Sequence, residues 1–150
     1  MIPDSSTSLP AADPLLSLLQ GAQMHRSSRI RVTGPSGLSV LLWLYRHGFE
    51  QVAYVKAGGV RSPEQADAVI VADICDPGAL QTLLSTGPRV REGGVLIVRS
   101  PLPPAGDSAH ADPIHRLLEL NGYAVEQCRR GRHRELHIAR RRSQQWLKAA

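Results

Sequence analysis

With 150 residues and 16.3 kDa, the chain has the length of one domain, and 42% hydrophobic with 21% charged residues is enough to bury a core. No apolar run approaches the roughly 18 residues of a membrane span, and Met1 to Ser6 lacks the basic-then-apolar pattern of a secretory leader. Two cysteines, Cys75 and Cys128, are too few for a cystine framework, so the expectation is a reducing cytoplasm and no membrane.

The net charge of +5 is unevenly placed. Eight Lys and Arg stand against the single acid Glu135 between Arg129 and Ala150, and the rest of the chain is slightly acidic. A basic end suits either a solvated edge or contact with polyanions.

Residues 1–12 are rich in Ser, Pro and Ala without periodicity and read as a mobile tail. Asp13-Pro14 then opens a helix through Leu15, Leu16, Leu18 and Leu19. Asp caps a free backbone N–H, and Pro fits the first helical position, where its missing N–H costs nothing. The same pair recurs as Asp76-Pro77 and Asp112-Pro113, each before an apolar run. Arg29–Thr33 reads as a strand, Gly34–Gly37 as a turn, and Leu38–His47 as a helix ended by Gly48. The spacing of Leu38, Leu41, Leu42 and Tyr45 predicts the buried stripe of that helix. A second strand follows at Gln51–Val55, then a loop from Lys56 to Ala66.

Ala68–Ala72 is unbroken in its apolar character, as in a parallel strand buried on both faces. A helix from Asp76-Pro77 carries Leu80, Leu83 and Leu84 and ends at Gly87-Pro88. The turn Arg91–Gly94 leads into a fourth strand, Val95–Val98, and Pro-rich Ser100–Ala111 reads as a loop. The helix from Asp112-Pro113, with Ile114, Leu117 and Leu118 on one face, closes at Asn121-Gly122. Tyr123–Cys128 and Glu135–Arg140 then form an antiparallel hairpin across the Arg129–Arg132 connection. Residues 143–150 form a tail, with one domain over 13–142.

Alternating strand and helix predicts a doubly wound α/β domain, mostly parallel, with helices on both faces and a C-terminal antiparallel hairpin. Its ligand turn should follow a central strand. Ile30–Thr33 is therefore expected between Val52–Val55 and Ala68–Ala72.

From Arg29 to Arg142 this order resembles the class I S-adenosylmethionine-dependent methyltransferases, in a shortened form. Arg89-Val90-Arg91-Glu92-Gly93-Gly94-Val95-Leu96-Ile97-Val98 is similar to that family's turn into its fifth strand. Ile114 to Arg140, a helix ending in Asn-Gly-Tyr and two antiparallel strands, is similar to the way it closes its sheet.

The resemblance implies a cofactor site at Thr33, Gly34, Ser36, Gly37, Lys56 and Asp73. Three departures erode it. The family's acid-x-Gly-x-Gly-x-Gly becomes Arg31-Val32-Thr33-Gly34-Pro35-Ser36-Gly37, with no leading acid and one backbone donor lost at Pro35. Lys56 stands where the family has an acid that accepts from the ribose hydroxyls, and an ammonium only donates. Ala57–Asp67 is also too short for the helix, strand and helix the family fits there.

Other chemistry is sparse. Asp73 or Cys75 could face a ligand beyond the third strand, although Cys75 better suits a small buried hydrophobe. Asp107 and His110 could serve as acid or base on the Ser100–Ala111 loop. No histidine pairs with a cysteine at zinc-motif spacing, so no metal is expected, and catalytic residues stay unknown. The favoured expectation is a methyltransferase-like domain with an eroded S-adenosylmethionine site, binding the cofactor weakly or not at all. Such a domain would act through a partner or ligand, such as another protein or a second copy. The alternatives are an active small methyltransferase, a dinucleotide-binding module in which Lys56 meets a phosphate, and a polyanion binder using Arg129, Arg130 and Arg132.

Overall fold

The computed structural model describes residues 14–56, 65–74, 76–101, 111–130 and 134–142; the side chains of Pro14, Ala111, Asp112 and Arg130 are not described. The elements in chain order are α1 (Pro14–Gly21), β1 (Arg29–Thr33), α2 (Gly37–Arg46), β2 (Gln51–Tyr54) and β3 (Gln65–Val71). They continue with α3 (Pro77–Thr86), β4 (Arg89–Pro101), α4 (Ala111–Leu120), β5 (Tyr123–Arg130) and β6 (Arg134–Arg141).

Six strands form one sheet in the order β2-β1-β3-β4-β6-β5. β1 pairs in parallel with β2 on one side and β3 on the other, and β3 pairs in parallel with β4. The hairpin β5–β6 is antiparallel and joins the sheet by antiparallel pairing of β6 with β4. Ile30–Thr33 thus lies inside the sheet, flanked as the winding argument requires, because the order reverses at β1.

Period-two alternation splits the core between two faces. Ile30, Val32, Ala68, Ile70, Val95, Ile97, Leu136 and Ile138 pack under α1 and α2. Val69, Val71, Leu96, Val98 and Ala139 pack under Leu80 and Leu83 of α3 and Leu118 of α4. At the head of α3, the Asp76 carboxylate accepts from the Ala79 N–H at 3.2 Å, and Pro77 occupies the first turn. No helix among the described residues is long and apolar enough to cross a membrane.

Several expected boundaries shift. β3 starts at Gln65, inside the expected Lys56–Ala66 loop. β4 is a long strand from Arg89 rather than a short one from Val95. The Arg91–Gly94 turn sits within it as a bulge: Ala66 pairs with Val90, and Ala68 with Val95. β5 runs on to Arg130, through half of the expected connection. α4 begins at Ala111, one residue before Asp112.

The larger correction concerns α2. Leu38, Leu42 and Tyr45 are exposed, while Val40 and Leu44 enter the core. The sequence Gly-Leu-Ser-Val-Leu-Leu-Trp-Leu-Tyr-Arg is apolar nearly all round, so two stripes satisfy the helical period. Among the described residues β2 is also the edge strand, with no further strand beside it to carry a helix next to α2. We therefore expect Leu42→Gln to change unfolding free energy by less than about 0.5 kcal/mol in urea denaturation.

Candidate functional site at the C-terminal edge of the sheet

The carboxyl ends of the parallel strands bring the expected site residues to one edge. Immediately after β1, Gly34 has φ +102°, a conformation that L side chains rarely adopt. A Cβ on Gly34 would run into the backbone of Ala72, because β3 lies directly alongside. The Gly37 N–H closes the turn on the Gly34 carbonyl at 3.0 Å.

Tyr54 ends β2 and lays its ring on Gly37, where a Cβ would fall on ring atoms Cδ1 and Cε1. Its hydroxyl lies 3.5 Å from the Gly34 carbonyl oxygen. Lys56 stands two residues past the strand and is exposed.

Ser36 heads α2 without capping it by its side chain. That hydroxyl instead hydrogen-bonds Asp73, beyond β3. Asp73 has φ +61° and turns its carboxylate toward two arginines. Arg99 Nε and Nη2 donate to its two oxygens at 3.1 and 3.3 Å. Arg134 Nε donates to Oδ1 at 2.8 Å. Burial raises the Asp73 pKa. The Ser36 hydrogen bond and the Arg99 and Arg134 guanidiniums outweigh it and hold the carboxyl below its ordinary value.

The six expected residues are therefore partly united. Gly34, Ser36, Gly37 and Asp73 form one contiguous edge, and Lys56 stands beside it. Thr33 is buried behind this edge, and its Oγ1 has no hydrogen-bond partner among the described residues. Cys75, Asp107, His110 and Arg132 lie outside the described residues, as does the side chain of Arg130. Tyr54, Arg99 and Arg134 were missed. Asp73 and Arg99 each sit at the carboxyl end of adjacent buried strands, and that juxtaposition of opposite charges was a usable signal.

Three of the described arginines of the basic C-terminal end have partners within the chain. Arg134 serves Asp73, Arg140 pairs with Glu126 at 3.1 Å and donates to the Gly93 carbonyl, and Arg141 donates to the Val90 carbonyl. Arg129 is exposed and donates to Gln127 at 3.0 Å.

No protein-family model and no curated protein sequence matches the chain. Solved structures do. A candidate methyltransferase of Bacillus halodurans C-125 superposes with TM-score 0.56 at 13% identity, over 86% of this chain and 99% of that one. The ribosomal protein L11 methylase of Lactobacillus delbrueckii subsp. bulgaricus gives 0.55 at 14%, over 82% and 76%. An O-methyltransferase family protein of Burkholderia thailandensis gives 0.55 at 14%, over 87% of this chain but only 56% of its own. At such identities the likeness speaks for architecture alone, and it agrees with the strand order and the closing hairpin. The chain has a shortened form of the class I S-adenosylmethionine-dependent methyltransferase fold.

Proposed function

We propose that this methyltransferase-like domain has an eroded S-adenosylmethionine site and acts by binding a partner rather than by transferring methyl groups. The observation that carries the reading is the Tyr54 ring on Gly37. A ligand laid on a glycine turn needs the space that a missing side chain leaves, and here an aromatic ring of the same chain takes it. Lys56 supports the same reading, since it cannot accept from a ribose hydroxyl. So does Asp73, whose acceptor oxygens are already engaged by two guanidiniums. The exposed stripe of Leu38, Leu42 and Tyr45 supports the partner half of the proposal. The pairing of Arg134, Arg140 and Arg141 with acceptors of the same chain counts against a polyanion.

Calorimetry with S-adenosylmethionine tests the reading. The unmodified protein should bind no better than millimolar. Tyr54→Ala combined with Lys56→Asp should tighten binding about ten- to a hundredfold, the worth of one charged acceptor at about 1.5–3 kcal/mol. Micromolar binding by the unmodified protein would sink the eroded-site reading and promote an active methyltransferase. NADPH binding that disappears in Lys56→Asp would favour the dinucleotide alternative instead.

A further inference from the structure

Beside that edge, under α4, the hairpin gathers three metal-ligating side chains that its sequence spacing hides. Cys128 on β5 is the direct cross-strand partner of His137 on β6. Glu135 precedes His137 by two residues and therefore shares its face. The Cys128 Sγ, one Glu135 oxygen and one His137 ring nitrogen all lie within 4.8 Å of one another. His137 Nε2 is 3.3 Å from Glu135 Oε1, and the Cys128 Sγ donates to that same oxygen at 3.7 Å.

These separations also suit a metal ion. Tetrahedral zinc at its usual bond lengths sets nitrogen and oxygen donors about 3.4 Å apart, and sulfur and oxygen donors about 3.6 Å apart. Two edges of the triangle are already near those values. The third lies within 4.8 Å and involves the exposed Cys128 side chain. His137 supplies the second observation. It is 1% exposed, yet neither ring nitrogen has a hydrogen-bond partner among the described residues. The Nε2 approach to Glu135 is close enough for a hydrogen bond but badly aimed for one. An orphaned, buried imidazole costs stability unless something takes its lone pair.

We propose that Cys128, Glu135 and His137 form a zinc-binding site across the β5–β6 hairpin. A thiolate, an imidazole and a carboxylate together match zinc rather than magnesium or calcium, which take oxygen donors. Three protein ligands leave a fourth position, and the exposed Cys128 side gives the ion its way in.

The test uses the full chain without a histidine tag, stripped of metal by chelator and titrated with Co2+, then with Zn2+ as competitor. The expected result is one Co2+ per chain, a near-ultraviolet thiolate-to-cobalt charge-transfer band, and displacement by Zn2+. Cys128→Ser should abolish the band while leaving far-ultraviolet circular dichroism unchanged, because that side chain is exposed. Glu135→Gln and His137→Gln should each weaken Zn2+ at least about tenfold, since even groups behind the ligands are worth that much. Cys75→Ser should bind normally. No band in the unmodified protein, a band that survives Cys128→Ser, or one lost in Cys75→Ser would each overturn the assignment.

Discussion

Gly34→Ala should destabilise the protein by about 3 kcal/mol, lowering the melting temperature by roughly 6–12 °C. Two causes add. Gly34 holds φ +102°, so a side chain is strained there whatever its surroundings. The new Cβ would also meet the Ala72 backbone, which is held by its N–H bond to the Thr33 carbonyl at 2.8 Å. A flexible side chain could swing aside, but a strand buried in a six-stranded sheet cannot. Gly21 is the control: an added Cβ meets nothing within 4 Å, so Gly21→Ala should be neutral or stabilising by up to about 1 kcal/mol. Urea denaturation of both variants decides the matter. Equal effects would mean that the turn yields and that β1 and β3 are not tightly apposed.

Asp73→Ala is expected to cost about 2–3 kcal/mol. The carboxylate is only 15% exposed, and its removal leaves the Arg99 and Arg134 guanidiniums facing each other without a counter-charge. The figure stays below that of a fully buried pair because Arg134 is 53% exposed. For the same reason Arg134→Ala should cost under about 1 kcal/mol. Stability should also follow the Asp73 proton. Its folded-state pKa lies below its unfolded value, so the native state binds the proton less readily. The contribution is fully present above about pH 4, near the unfolded pKa, and disappears as the pH falls through the lower folded pKa. Denaturation midpoints from pH 7 to pH 2 should therefore converge for Asp73→Ala and the unmodified protein at the acid end. Parallel curves would show that Asp73 is not ionised in this network.

The parallel strands were legible because unbroken apolar runs such as Ala68–Ala72 and Val95–Val98 suit burial on both faces, and the place of Ile30–Thr33 between β2 and β3 followed from the turn after it. The Asp76-Pro77 helix start was legible because capping is local chemistry. The inward stripe of α2 was not: Leu38–Leu42–Tyr45 and Val40–Leu44 both fit the helical period, and only packing of Val40 and Leu44 against the core decides between them. At the site, the glycine turn could be read locally, but its occupant could not. Tyr54 reaches Gly37 through the β1–β2 register, and Arg134 reaches Asp73 across 61 residues. Cys128 and His137 are likewise neighbours through hairpin pairing and not through a ligand spacing.

The strand order also dictates a sequence of events during synthesis. β4 receives β3 on one side, but its other edge waits for β6, about 40 residues further along the chain. At ribosomal speed that interval lasts about 2–8 s. Throughout it the backbone donors and acceptors of Val95–Pro101 stand open beside the apolar Leu96, Ile97 and Val98, a ready template for pairing with another chain. The hairpin itself closes quickly, within microseconds, because β5 and β6 are separated only by residues 131–133. The vulnerable period is therefore set by elongation rather than by folding. Nascent chains paused between Pro101 and Arg134 are the species on which a chaperone would be most needed.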